Sequence, residues 1–246
     1  MAKIMVLAES GFGKTSSLGK NDELGIMGLD PEKTVIIQAT SKGLPFPGSK
    51  KKYSKAALVK GEDGKTRIVG NIIVGTPEQI VKMIGYFLKG RPKVENFVYD
   101  DFNFHMQDYY MENAKKGGNA FDVFKDIGKQ TFEFLKQIDT LNDSGKNVIL
   151  MAHPEIYEDL EGRNRYRLKT VGAMVSNFLT PEGKFEIVLM GYSRLNPETK
   201  LAEKLFVTND DGQYNAKSPY GIFKDIYIKN DMGKVLEKIK EYENQE

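Results

Sequence analysis

The residues best equipped for chemistry stand almost at the start of the chain, in the run Ala8-Glu9-Ser10-Gly11-Phe12-Gly13-Lys14-Thr15. It fits the relaxed form of a P-loop, with Ala in place of the first Gly. Glycines let backbone N–H groups close around phosphate oxygens, and a helix N-terminus beyond them supplies further donors. Lys14 would reach the β- and γ-phosphates of ATP, and the Thr15 hydroxyl would ligate Mg²⁺. Ser10, Gly11, Phe12, Gly13 and Ser16 complete the predicted cradle. The bland alternative is a Gly-rich turn between a strand and a helix. Glu9 brings a carboxylate next to the phosphates, so its side chain must point away.

A second constellation lies about 85 residues downstream, where Phe97-Val98-Tyr99 runs into Asp100-Asp101. A strand ending in Asp suits a Mg²⁺ ligand acting through water, the role expected of Asp100. Asp101 would act as general base on the attacking water. Alternatively, the pair only caps a helix that starts at Phe102 or Asn103. His153 follows another apolar run and is a candidate for touching the γ-phosphate and reporting its loss. His105 lies in a polar, helix-like stretch and reads as structural or exposed. With two His and no Cys, zinc sites and thiol nucleophiles drop out. Ser10, Ser16 and Ser17 belong to the phosphate loop, so no hydrolase serine is indicated.

Five short apolar runs must position these groups: Ile4–Leu7, Val35–Gln38, Phe97–Tyr99, Asn147–Met151 and Glu186–Met190. Such runs suit parallel strands covered on both faces. Between them, Thr76-Pro77-Glu78-Gln79 is a helix start with a capping box and Pro in the first turn. A longer helix over Ala120–Leu141 carries a mostly apolar stripe of Phe121, Phe124, Gln130, Phe134, Leu135, Ile138 and Leu141. Alternating strands and helices predict an α/β fold with a mostly parallel sheet flanked by helices. Residues 42–72 interrupt the alternation as a basic insertion, with a turn at Glu62-Asp63-Gly64-Lys65 between two short strands. From about residue 184 the pattern reads as an antiparallel extension, including a strand Lys204–Thr208, and a helix Lys234–Tyr242 closes it. One domain over residues 1–246 is expected. With the P-loop strand starting at Ile4, no accessory domain is expected before it.

Of the 246 residues, 40% are hydrophobic and 28% charged, which allows a sizeable core and excludes wholesale disorder. The net charge of +2 is too small for bulk attraction to nucleic acid or membrane. No apolar run approaches the roughly 18 residues of a membrane span, so no membrane partner is expected. The lack of Cys fits a reducing, cytoplasmic compartment. Charge placement is uneven. Residues 42–67 hold eight Lys or Arg against two acids, a local +6 that includes Lys50, Lys51 and Lys52 beside Tyr53. Arg163, Arg165, Arg167 and Lys169 form a second cluster with Tyr166. Several cations with an interleaved aromatic suit single-stranded DNA. A solvated loop, or an edge strand guarded by charge, is the alternative.

Together these pieces resemble the RecA-like ATPases of phage replication and recombination modules, some of which act as recombinases or single-strand-annealing proteins. The likeness rests on the P-loop, Lys42-Gly43-Leu44-Pro45-Phe46-Pro47-Gly48 with the Lys-rich patch behind it, and Tyr99-Asp100-Asp101. It continues with Ala152-His153 and Ala216-Lys217-Ser218-Pro219-Tyr220-Gly221-Ile222-Phe223, so it spans about residues 4–223. Only the P-loop is highly specific by itself.

The resemblance implies a RecA-like core in which the strand before His153 lies between the P-loop strand and the Asp100 strand. It implies Mg·ATP turnover to ADP, rings or filaments of identical subunits with ATP at their interfaces, and loops after His153 facing DNA. Arg194 and Lys217 are the candidate cationic fingers offered to a neighbour's site. The family's separate catalytic Glu has no counterpart at a matching position. A phage replication or single-strand-binding protein is the implied partner, and a bacterial host's cytoplasm the location. Two rival readings remain. One is a small-molecule phosphotransferase with Arg163–Arg167 as lid, the other a helicase-loader-type interaction module.

Overall fold

The computed structural model describes residues 1–114 and 120–245. Its first half contains β1 (Lys3–Leu7), β2 (Thr34–Gln38), α1 (Ser49–Lys52), β3 (Ala57–Lys60), β4 (Thr66–Val69), β5 (Ile72–Val74), α2 (Pro77–Gly90), β6 (Asn96–Asp100) and α3 (Asn103–Asn113). The second half contains α4 (Ala120–Asp143), β7 (Asn147–Ala152), β8 (Pro154–Glu158), β9 (Asn164–Leu168), α5 (Ala173–Phe178), β10 (Ile187–Leu195), β11 (Ala202–Val207), β12 (Tyr227–Lys229) and α6 (Met232–Glu243).

Among the described residues, eight strands form one sheet in the order β12-β11-β10-β1-β7-β6-β2-β5. The six from β10 to β5 are mutually parallel, and β11 and β12 extend the sheet antiparallel. This is an α/β fold with a mostly parallel sheet and an antiparallel extension, and β7 does lie between β1, which leads into the Gly-rich loop, and the Asp100 strand.

The strand runs are apolar throughout because both faces of the sheet are covered. Met5 and Leu7 of β1 join one core with Phe97, Tyr99, Val148 and Leu150. That face is roofed by α2 and α4 through Ile80, Ile84, Phe87, Leu135 and Ile138. Ile4 and Val6 enter the opposite core with Ile36, Val98 and Ile149, under Met232, Val235 and Ile239 of α6. Each such side chain contributes about 1.5–3 kcal/mol on burial.

Local signals account for the helix starts. Thr76 Oγ1 accepts from Gln79 N, the Gln79 side chain accepts from Thr76 N at 3.0 Å, and Pro77 opens α2. Asp231 caps α6 through Gly233 N and Lys234 N. The apolar stripe of α4 is buried at Ile127, Leu135, Ile138 and Leu141, whereas the side chain of Phe121 lies outside the described residues.

The expected helix after the P-loop is one 3₁₀ turn, Thr15–Leu18. Gly19 ends it where a Cβ would sit 2.0 Å from the Phe46 ring. The chain then doubles back through the Asn21–Ile26 bridge. The region after His153 is a two-stranded hairpin, β8–β9, and β5 is an edge strand that the apolar runs did not reveal. Among the described residues no helix is long and apolar enough to cross a membrane.

Candidate functional site

In the four adjacent strands β1, β7, β6 and β2, register places Leu7 beside Ala152 and Gln38 beside Asp100. Their carboxyl ends therefore open on one edge of the sheet, where open α/β sheets bind ligands. The P-loop leaves β1 there, His153 leaves β7, Asp100 and Asp101 end β6, and the segment Gln38–Lys42 leaves β2. Groups far apart in sequence are brought together by strand order alone.

Gly11 and Gly13 both adopt positive φ, +76° and +100°, which an L side chain rarely takes. Phe12 between them is buried against Phe206, so it anchors the loop and contributes its backbone, not its ring, to the cradle. Glu9 is exposed. Lys14 is only 5% exposed and donates to Ala8 O at 2.8 Å and Glu9 O at 3.3 Å. Its ammonium also stands 3.5 Å from Asp101 Oδ1.

Thr15 Oγ1 donates to Asp100 Oδ1 at 2.8 Å, and Gln38 Nε2 donates to Asp100 Oδ2 at 3.2 Å. Lys42 lies 3.4 Å from Asp100 Oδ2 and pairs with Asp101 Oδ2. His153 Nε2 is 3.4 Å from Asp101 Oδ1, long for a hydrogen bond, and that buried oxygen lacks a well-formed one.

Asp101 itself has φ +59°, the left-handed region, where Asp is among the tolerated residues. The helix that follows has Phe102 at its N-cap and no side-chain cap bond. The aspartate side chains thus serve the site and do not cap α3. Asn103, buried in the first turn of α3, accepts from His153 N and donates to the carbonyls of His153 and Lys169. It ties the end of β7 to the start of α3, which fixes His153 relative to Asp101.

Electrostatics follow from this packing. Burial pushes the Lys14 pKa down, and the nearby Asp101 and Asp100 charges counter only part of that. For Asp101 burial acts to raise the pKa, but the neighbouring His153, Lys42 and Lys14 outweigh it and hold the carboxyl well below its usual range. Burial also opposes the charge on Lys42, yet Asp100 and Asp101 raise its pKa overall. The Asp101 carboxylate is thus charged, and its oxygens can accept hydrogen bonds and orient a water.

The donor set fits Mg·ATP. Thr15 and Asp100 present adjacent hard oxygens, and among the described residues no cluster of three or more His, Cys, Asp or Glu forms a full metal cage. A cation held by one carboxylate and one hydroxyl, with phosphates and water completing its shell, is the Mg²⁺ pattern. When bound, that ion neutralises charge on the β- and γ-phosphate oxygens.

Other candidates lie apart from this cluster. Arg194 pairs with Glu203 across β10 and β11, and Lys217 is exposed beside Val188, so neither touches the aspartates of its own chain. Arg163 pairs with Asp159 and Glu161, Arg165 with Asp210, and Arg167 with Glu155. Lys50, Lys51, Lys52 and Lys169 are exposed. His105, read as structural or exposed, is largely enclosed, and its Nε2 is buried without a hydrogen bond.

Sequence reasoning missed Gln38, Lys42, Asn103 and Asn230 as members or supports of the site. Asn230, just before α6, donates to Gly13 O at 3.0 Å and braces the loop. Gln38 and Lys42 had a signal: Gln38 ends the second apolar run and Lys42 follows it, as Asp100 follows the third. Asn230 had none, because it reaches the P-loop across 217 residues.

No protein-family model matches the sequence, and no curated protein is significantly similar to it. Among solved structures, the chain is similar to the KaiC-like protein PH0186 from the hyperthermophilic archaeon Pyrococcus horikoshii OT3. That match has 12% identity, covers 85% of this chain and 78% of the other, and has a TM-score of 0.45. It is also similar to a second solved structure, an ATPase domain, at 11% identity over 87% of this chain and 79% of that one, with a TM-score of 0.43.

Proposed function

We propose that this protein binds Mg·ATP and hydrolyses it to ADP and phosphate, coupling turnover to single-stranded DNA. The observation that carries the ATPase reading is the meeting of Lys14, Thr15, Asp100, Asp101 and His153 at one sheet edge. Lys14 and the loop N–H groups would hold the phosphates, Thr15 and Asp100 the Mg²⁺. Asp101 would take the proton of the attacking water, and His153 would orient that water or sense the terminal phosphate.

DNA is the proposed partner because Lys50, Lys51 and Lys52 are exposed on α1 and form no ion pair among the described residues. The arginines of β9, by contrast, are already neutralised by acids. Assembly into a ring or filament, with Arg194 or Lys217 reaching a neighbour's site, and a role in phage replication or recombination belong to the same proposal. Exposed Ile156 and Leu160 on the β8–β9 hairpin favour a second reading, a nucleotide-dependent docking module for a replication protein.

An ATPase assay with and without single-stranded DNA over a salt series tests both. DNA-stimulated turnover that fades with salt and vanishes in Lys14→Ala supports the first reading. Turnover indifferent to DNA at low salt refutes the DNA partner, and unchanged turnover in Lys14→Ala refutes the site.

A further inference from the structure

The site holds two ammonium groups and two carboxylates in mutual contact: Lys14 and Lys42 with Asp100 and Asp101. It is internally charge-balanced. Lys14 comes from the P-loop and Lys42 from the segment after β2, so they approach Asp101 from different sides and bind different oxygens of it. Lys42 sits in residues 41–44, which carry no helix or strand, and its side chain is 36% exposed. Gly43 beside it has open space around its Cα. A four-carbon stem on such a segment can swing several ångströms without disturbing the sheet.

We infer that Lys42 is the second phosphate-binding cation of this site, supplied by the chain itself, and that it exchanges Asp101 for the terminal phosphate when ATP binds. The inference rests on the ATP reading above and adds a residue to it. Mg·ATP arrives with net negative charge, while these four side chains, being balanced, have no positive charge to spare. The phosphates would therefore draw the lysines away from the aspartates, and Lys42 would leave Asp100 free to help hold a Mg²⁺. A cation beside Asp100 Oδ2 and a Mg²⁺ on the same carboxylate repel each other.

Lys42 has somewhere to go. Asp101, the candidate base, must lie next to the water that attacks the γ-phosphorus, so a cation paired with Asp101 is within reach of the γ-phosphate oxygens. The β-phosphate, cradled by Gly11–Thr15, is served by Lys14. The exchange also frees Asp101 to accept a proton only when a terminal phosphate is present. It thereby gives the site preference for ATP over ADP.

The test is a binding experiment with fluorescently labelled ATP and ADP in the presence of Mg²⁺, on the full chain and two variants. Lys42→Ala is expected to weaken ATP about tenfold or more, the scale of one charge-assisted phosphate contact, while ADP changes less than about threefold. Lys42→Arg keeps the charge and is expected to restore most of the ATP preference, which also covers the case of an alanine variant that folds poorly. If Lys42 only neutralises Asp101, Lys42→Ala will change the melting temperature of the nucleotide-free protein and leave the ATP/ADP ratio as in the wild type. That result, or equal weakening of both nucleotides, overturns the inference while the nucleotide reading stands. Wild-type protein that binds neither nucleotide overturns both.

Discussion

Replacing Asp101 by Asn removes one charge and almost no volume, and the structure sets three separate consequences. The Lys14 ammonium stands 3.5 Å from Asp101 Oδ1. At an effective dielectric near 20 that separation corresponds to about 5 kcal/mol of attraction. Much of it offsets the desolvation of two enclosed charges. Breaking a buried pair by deleting one partner ordinarily costs about 3–5 kcal/mol. Here Lys14 keeps the carbonyls of Ala8 and Glu9 as acceptors, so a smaller loss, about 1–3 kcal/mol, is expected for the nucleotide-free protein.

ATP should bind as tightly or up to about tenfold tighter, because an anion that competes with phosphate for Lys14 and Lys42 is gone. Turnover should fall by about 10²–10⁴, the usual contribution of a positioned general base. Urea unfolding without nucleotide, labelled-ATP binding and phosphate release read the three effects independently. Asp101→Asn protein that hydrolyses ATP at the wild-type rate would refute the base assignment. Unchanged stability together with weakened ATP binding would refute the view of Asp101 as the resting partner of the lysines.

Other consequences follow from the same geometry. Thr15→Ala deletes the hydroxyl 2.8 Å from Asp100 and should raise the Mg²⁺ concentration needed for half-maximal turnover by about tenfold or more; an unchanged Mg²⁺ titration would remove Thr15 from the metal shell. Enclosure by its neighbours lowers the His105 pKa from 6.5 to about 4, so between those pH values the folded protein keeps it neutral while the unfolded chain protonates it. Its contribution, up to about 3 kcal/mol, is then full above pH 6.5 and lost as pH falls toward 4. Asp101, depressed in the folded state, loses its contribution only below the ordinary carboxylate pKa near 4, a lower window. Melting curves between pH 4 and 7 should therefore flatten in His105→Leu; a slope identical to wild type would contradict this. Charge reversal at Lys50, Lys51 and Lys52 should weaken single-stranded DNA binding and make its log–log salt slope shallower by about 2, with DNA-free turnover intact. An unaltered slope would place the DNA elsewhere.

The chain's own order of residues carried the P-loop, the two aspartates and the apolar strand runs, because each rests on contacts within a few residues or on burial of both faces of a strand. Lys14 and Thr15 are legible since a phosphate loop needs its glycines and lysine at fixed spacing, and α2 is legible from Thr76, Pro77 and Gln79. Partner choice was not legible. Arg165 and Arg167 read as part of a basic cluster, yet their acids are supplied by the fold: Glu155 across the hairpin and Asp210 from a turn 45 residues away. Lys42 read as one more lysine of a basic patch, and only the pairing of β2 with β6 puts it against Asp100 and Asp101. Periodicity and local spacing record what a segment must bury or cap. Which charge meets which is decided by strand order, a property of the whole sheet that no single segment encodes.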